Sequence, residues 1–279
     1  MASQTAPATN QEEQAQMLEH GDIYFFYRPK VGSEQVKSIN DVRRFFMVMA
    51  PEGRQQQQQQ QLRQKQKRLY RLFVIGKKSL PEIRKSEARA SERYWARVGG
   101  IFQDANELTE ELLSDEFRQG DAARPVGEGK YAIVKHQTHT ELAYILEIPN
   151  EPGQAQNELG IEKEASYVIS VINPKIPVPA GYPGTEVPPK YPKEILQQLS
   201  ETENFVPLSR DTKLIDYQNA QVILIGAREG HDIIKKEIGI EIKYDKNQTA
   251  ESSSADIFKK LKVHKEQVPI RPLTEGKLE

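Results

Sequence analysis

Residues 23–27, with the sequence IYFFY, are the stretch that decides the fold. Five β-branched and aromatic residues in succession are typical of a buried strand. Pro29 and Gly32 follow and end it. Residues 44–50 (RFFMVMA) and 69–75 (LYRLFVI) predict two more strands of the same kind. The beginning of the chain therefore favours a sheet with a hydrophobic core.

The second half of the chain repeats this pattern. Further strands are predicted at residues 131–134, 142–148, 167–172 and 220–226. Asp104 followed by Glu107 is typical of a helix start, and Pro192 opens a second short helix. Residues 91–101 fit either a strand or a helix. Because hairpin-like strand pairs occur in both halves, we expect an α+β fold with one or two mostly antiparallel sheets and a few short helices.

The composition divides the chain into two folded halves with polar extensions. We expect residues 1–17 to be disordered, 18–120 and 121–244 to form an N-terminal and a C-terminal α+β half, and 245–279 to be a disordered tail. Seven consecutive glutamines, residues 55–61, lie within a Gln-rich surface insertion at 54–68. This insertion is either an expanded hairpin loop or a polar helical arm.

Several function classes are excluded by composition. The 279 residues include no cysteine, which excludes disulfides, iron–sulfur clusters, thiolate zinc sites and cysteine nucleophiles. No apolar run approaches the length that a membrane-spanning helix needs. Residues 1–17 contain neither Lys nor Arg and do not fit a secretory signal. We therefore expect a cytoplasmic protein with no membrane contact.

Four strings in the chain resemble a family of bacterial proteins that is common in cyanobacteria and has no assigned function. They are GDIYFFYRPKV (21–31), RPVGEGKYAIV (124–134), HTELAYILEIP (139–149) and ELGIEKEASYVISVINP (158–174). The resemblance covers most of residues 20–240 and implies a cytoplasmic bacterial protein. It provides no catalytic or binding residue that can be transferred to this chain.

One group of residues has metal-ligand character. His136, His139 and Glu141 follow an H-x-x-H-x-E spacing at the turn of a predicted hairpin. Strand alternation places His139 and Glu141 on one face if the strand begins that early. Two imidazoles and a carboxylate are able to hold zinc or iron with coordination positions left open. An exposed polar turn is the alternative interpretation.

Positive charge is concentrated in residues 43–97, which contain fifteen Lys and Arg against four Glu, although the whole chain has a formal charge of −1. Such a block, with aromatic residues between the charges, is typical of nucleic-acid binding. The candidate anion-binding residues are Arg28, Lys30, Arg43, Arg44, Lys77 and Lys78. The alternative is that this block faces the acidic segments 101–128 and 141–172.

No complete catalytic or nucleotide-binding motif is present, so we assign no catalytic residue, expect no cofactor and lean against an enzyme. The leading hypothesis is a non-catalytic protein-binding or scaffolding module with an unknown protein partner. Nucleic-acid or other anion binding through residues 43–97 is the first alternative. A metal-assisted enzyme that uses His136, His139 and Glu141 is the second.

Overall fold

A computed structural model describes residues 15–33, 35–52, 69–83, 93–114, 122–178, 187–227 and 256–279. The strands in these ranges are β1 Gln16–Pro29, β2 Val42–Pro51, β3 Tyr70–Ile75, β4 Arg93–Phe102, β5 Arg124–Lys135, β6 Thr140–Ile148, β7 Glu164–Ile172, β8 Phe205–Pro207 and β9 Gln221–Gly226. The helices are α1 Ala105–Leu113, α2 Gln154–Glu158, α3 Lys193–Gln198, α4 Asp256–Lys260 and α5 Arg271–Thr274.

The strands form a closed antiparallel barrel of eight strands, so the predicted α+β class is wrong. The order around the barrel is β6-β5-β1-β2-β3-β4-β9-β7, and β7 pairs back with β6 from Glu141↔Val168 to Ile145↔Glu164. The short β8 adds to the end of β7. Hairpin signals in the sequence report only neighbouring strands. The pairs β1–β5, β4–β9 and β7–β9 join strands that are not consecutive in the chain, and no local pattern reports them.

Strand β1 is buried on both faces, which explains why its apolar run is continuous. Ile23, Phe25 and Tyr27 belong to the core inside the barrel, while Tyr24 and Phe26 belong to a second apolar cluster on its outer surface. None of these five side chains is more than 1% exposed. Side chains alternate between the two faces of a strand, so a strand with two covered faces needs no polar positions.

Most local predictions are confirmed by these elements. The predicted strands at 44–50 and 69–75 correspond to β2 and β3, and residues 93–101 of the ambiguous segment lie in strand β4. Asp104 caps α1 as predicted, because its side chain accepts a hydrogen bond from the backbone N–H of Asn106 at 2.7 Å.

The division into halves and tails differs from the prediction. Strands from both predicted halves belong to one barrel, since β1 pairs with β5. Residues 256–279, part of the predicted tail, carry α4 and α5, and their Ile257, Leu261 and Leu273 are fully buried on the outer surface of the barrel. The Gln-rich insertion 54–68 and residues 1–14 of the predicted N-terminal extension lie outside the described residues.

The barrel has an upper end, with the start of β1 and the β5–β6 turn, and a lower end, with the end of β1 and the start of β2. Residues 208–220 cover the upper end and contribute Leu208, Leu214 and Ile215 to the interior core. Their position is fixed by hydrogen bonds to the barrel wall, such as that from the Ser209 N–H to Thr140 Oγ1 at 3.0 Å.

A buried ion network lies beneath this cover. Arg71 on β3 is completely buried and donates to Glu19 Oε2 at 2.9 Å and to Asp216 Oδ1 at 2.7 Å. Tyr131 also donates to Glu19, at 2.7 Å. Burial disfavours the charged form of Arg71, but its pairing with Glu19 outweighs this effect and raises the pKa of the guanidinium. The network connects β1, β3, β5 and the cover of the upper end.

Removing the central cation of this network should strongly destabilise the fold. We expect Arg71→Met to lower the free energy of unfolding by about 3–5 kcal/mol, because the Glu19 carboxylate stays buried but loses the guanidinium that balances its charge. Urea denaturation at neutral pH measures the effect. Adding Glu19→Gln to Arg71→Met should recover part of the loss, since the buried charge is then removed as well. A loss below about 1 kcal/mol for the single variant would contradict this account.

Candidate metal centre

The β5–β6 turn brings two histidines together at the upper end of the barrel. Lys135 and Thr140 form the last paired position of the hairpin. Between them, the backbone N–H of His136 donates to the carbonyl of His139 at 2.9 Å, which closes a tight turn. The two imidazole rings are stacked, with centroids 4.9 Å apart and planes inclined by 16°.

Both imidazoles approach the same carboxylate. His139 Nε2 lies 2.8 Å from Glu141 Oε1, and His136 Nε2 lies 3.8 Å from Glu141 Oε2. One ligand atom from each of the three residues lies within 4.8 Å of the others. The structure thus brings together all three candidate metal ligands of the sequence analysis.

Glu141 faces the outside of the barrel, since its neighbour Leu142 belongs to the interior core. It is nevertheless only 5% exposed, whereas the two histidines are half-buried. Ser166 on β7 is fully buried and donates its hydroxyl to Glu141 Oε2 at 2.6 Å. A hydrogen bond from β7, the strand that closes the barrel, therefore holds the carboxylate in place.

A second hydroxyl lies behind one imidazole. Thr138 Oγ1 lies 3.1 Å from His139 Nδ1, and this pair can form a hydrogen bond in either direction, depending on the imidazole tautomer. When Nδ1 carries the proton, Nε2 has none to donate to Glu141, and its lone pair is available to a metal ion in place of that hydrogen bond. Outer hydrogen bonds of this kind orient the ligands in known metal sites.

The carboxylate of Glu141 is ionised at neutral pH. Burial by itself raises the pKa of this group, but the hydrogen bonds from His139 and Ser166, together with the nearby imidazoles, lower it below its usual value. A charged carboxylate between two imidazoles is a donor set that suits zinc and other divalent transition metals.

The residues proposed to bind anions lie at the lower end of the barrel, away from this cluster. The register pairs Arg28 with Arg44 and Phe45 with Ile75, and this places Lys77 and Lys78, which follow β3, beside the start of β2. Arg43 and Arg44 are half-buried there, while Lys30 and Lys77 are exposed. The structure thus brings these residues to one end.

Arg28 has a structural role that the sequence analysis missed. It is only 3% exposed, and its Nη2 donates to the carbonyls of Glu111 and Leu112 at 3.1 and 2.8 Å, at the end of α1. A cation at this position satisfies helix carbonyls and opposes the negative end of the helix dipole. Lys77 also has a local contact, since its Nζ lies 4.1 Å from the centre of the Tyr94 ring.

Sequence reasoning also missed the two supporting hydroxyls of the metal cluster. Thr138 lies inside the H-x-x-H spacing, where its position next to His139 was a usable signal. Ser166 is 25 residues from Glu141 and reaches it only because β6 pairs with β7. No pattern in the sequence reports that contact.

Comparison of the chain with protein-family models, with curated proteins and with solved structures finds no match. The resemblance to a bacterial family therefore stays a prediction. No helix among the described residues combines the length and the apolar character that crossing a membrane requires.

The Ser166 hydroxyl should stabilise the folded protein only while Glu141 is ionised. Because the pKa of Glu141 is lowered in the folded state, its contribution is present above the usual pKa of a glutamate and is lost as the pH falls through the folded value. We expect Ser166→Ala to cost about 1–3 kcal/mol at pH 7 and clearly less near pH 3. Chemical denaturation in the presence of a chelator measures both values.

The matched control is Ser200→Ala, which removes a serine hydroxyl from exposed contacts with the hydroxyl and the backbone N–H of Thr202. It should change the free energy of unfolding by no more than about 0.5 kcal/mol at either pH. An equal cost of Ser166→Ala at both pH values would show that the hydroxyl does not act through the Glu141 carboxylate.

Proposed function

We propose that this protein binds one divalent transition-metal ion through His136, His139 and Glu141. The observation that carries the proposal is the approach of two imidazole Nε2 atoms to the two oxygens of one buried carboxylate. An exposed polar turn, the alternative interpretation of these residues, does not require the carboxylate to be buried or held by a third strand.

The chemistry of the donors favours zinc or a similar ion. Imidazole suits zinc, copper, iron and nickel, whereas calcium and magnesium prefer sites made of oxygen atoms alone. Three protein ligands leave one position of a tetrahedral zinc ion open to water or substrate, as in catalytic zinc sites. This open position supports a metal-assisted reaction as the activity that would follow from metal binding.

The outer hydrogen bonds support the same function. Ser166 fixes the carboxylate, and the Thr138 hydroxyl is placed to accept a hydrogen bond from the Nδ1–H of a metal-bound His139. Loss of such an outer partner typically weakens metal affinity about 10- to 100-fold.

Isothermal titration of the chelator-treated full chain with Zn²⁺ tests the proposal. We expect one bound ion for each chain. We also expect His136→Ala, His139→Ala and Glu141→Gln each to weaken binding by at least about tenfold, because each removes one ligand. Absorbance of bound Co²⁺ in the visible region provides a second measurement, which reports the coordination geometry directly.

His20→Ala is the matched control, since His20 also lies beside a glutamate, with Nδ1 3.8 Å from Glu52, but outside the cluster. It should leave Zn²⁺ affinity unchanged. Affinity that survives all three ligand substitutions, or that falls equally in His20→Ala, would overturn the proposal.

Anion binding is a second candidate function, and the placement of Lys30, Arg43, Arg44, Lys77 and Lys78 at one barrel end favours it. Phosphate backbones are bound by such basic surfaces in a salt-dependent manner. Arg28 is not part of this candidate surface, because it is engaged with the end of α1. Binding of an unidentified protein partner, the leading hypothesis from the sequence, stays a prediction.

Fluorescence anisotropy with a labelled single-stranded oligonucleotide in low salt tests this second function. Replacement of Arg43, Arg44, Lys77 and Lys78 with alanine should weaken binding by at least about tenfold, because four phosphate contacts are removed. The control replaces four exposed lysines elsewhere, Lys190, Lys193, Lys213 and Lys277. Equal loss in both variants would indicate non-specific attraction to net charge and would remove the lower end as a binding surface.

A further inference from the structure

A single tryptophan lies on the outer face of the barrel near its lower end. Trp95 is the only tryptophan of the chain, and it belongs to the first half of β4. Its neighbour Ala96 is part of the interior core, so side-chain alternation directs Trp95 outward. The indole is half-buried, which leaves part of its surface open to solvent.

Gly76 determines where the indole lies. This glycine follows β3 directly, and its backbone N–H donates to the carbonyl of Trp95 at 2.9 Å. A Cβ atom at residue 76 would overlap three ring atoms of the indole, Cδ2, Cε2 and Cζ2. The ring therefore lies over the backbone of Gly76, in the space that the side chain of any other residue would fill.

Two arginines of the same strand flank the indole. Arg93 and Arg97 lie two residues before and two residues after Trp95 in a regular stretch of β4, so they share its outward face. Each is about 7 Å from Trp95 along the strand. Arg93 is exposed, whereas Arg97 is half-buried and its Nη1 donates to Asn219 Oδ1 at 2.7 Å. That hydrogen bond restricts the side chain and lowers the entropy cost of binding an anion there.

A third arginine lies across the sheet on β2. The register pairs Phe45 with Ile75, so Arg44 comes opposite Gly76 and on the same outer face. Because Gly76 has no side chain, nothing of that residue stands between Arg44 and the indole. Three guanidinium-bearing residues and one indole thus share a small area of the outer surface.

This combination suits a nucleic-acid strand whose bases are unpaired. Guanidinium groups bind phosphates, and every base has a flat face that stacks on an aromatic ring. In a duplex these faces are already stacked on neighbouring bases, so an aromatic side chain reaches them only in a single strand. An anion without rings would use the arginines but not the indole.

We propose that Trp95 stacks on a base of single-stranded nucleic acid while Arg44, Arg93 and Arg97 bind the adjacent phosphates. The inference rests on the second candidate function, anion binding at the lower end. It adds the class of ligand and the residue that distinguishes this ligand from other anions. Arg93 and Arg97 also extend the basic surface from the end of the barrel onto the outer face of β4.

The fluorescence of the single tryptophan tests the stacking directly. An oligothymidylate of about 12 nucleotides, titrated into the full chain in low salt, should quench most of the Trp95 emission. An abasic oligonucleotide with the same number of phosphates should bind at least about fivefold more weakly and leave the emission nearly unchanged, since it has no base to stack. Oligothymidylate that binds without quenching would overturn the stacking and leave anion binding in place. Failure of both probes to bind would overturn both.

Substitution of Trp95 separates stacking from charge. Trp95→Leu should weaken oligothymidylate binding by at least about fivefold without changing the slope of log affinity against log salt, because no phosphate contact is lost. Its affinity for the abasic probe should be unchanged. Trp95→Phe keeps a flat ring and should recover most of the affinity. Arg93→Ala and Arg97→Ala should each reduce the salt slope by about one.

Tyr217→Leu is the matched control, because Tyr217 is also a half-buried aromatic residue but lies in the cover of the upper end, edge-on to Tyr191. It should change neither the affinity for oligothymidylate nor the salt slope. Unchanged oligothymidylate affinity in Trp95→Leu would refute the proposal. An equal loss of affinity for the two probes in that variant would also refute it, since the substitution would then disturb the surface rather than the stacking.

Discussion

The pairing of β6 with β7 is the constraint on which the rest of the structure depends. It joins the two end strands of the sheet into a closed barrel and leaves no long sheet edge between them. The same pairing places Ser166 beside Glu141, so the hydroxyl that holds this carboxylate is in position only because the barrel is closed.

Strand β1 supplies the second organising element, since it lies between two hydrophobic clusters. Its inward residues join the barrel interior, and its outward residues need a cover that the sheet itself cannot provide. Helix α1 and residues 256–279 supply that cover.

Three buried carboxylates show how surroundings assign different roles to the same side chain. Glu19 is paired with a guanidinium and stabilises the fold. Glu141 accepts hydrogen bonds from Ser166 and from a neighbouring imidazole, which outweigh the effect of burial and lower its pKa. Glu128 accepts two backbone N–H groups of α4, and burial together with the charges of Asp256 and Glu147 raises its pKa to about 7. The difference lies in the partners, because burial by itself disfavours the charged form in all three cases.

The sequence by itself determined the strands and the donors of the candidate site. The apolar runs at β1, β2 and β3, the Asp104 cap and the H-x-x-H-x-E spacing are all local patterns, which hydrophobicity and turn chemistry make visible. Only the tertiary structure decided the closed barrel, the contact of Ser166 with Glu141, the use of Arg28 by α1, and the docking of residues 256–279. These depend on pairings between residues far apart in the chain, and burial and partners, rather than residue type, give each charged group its role.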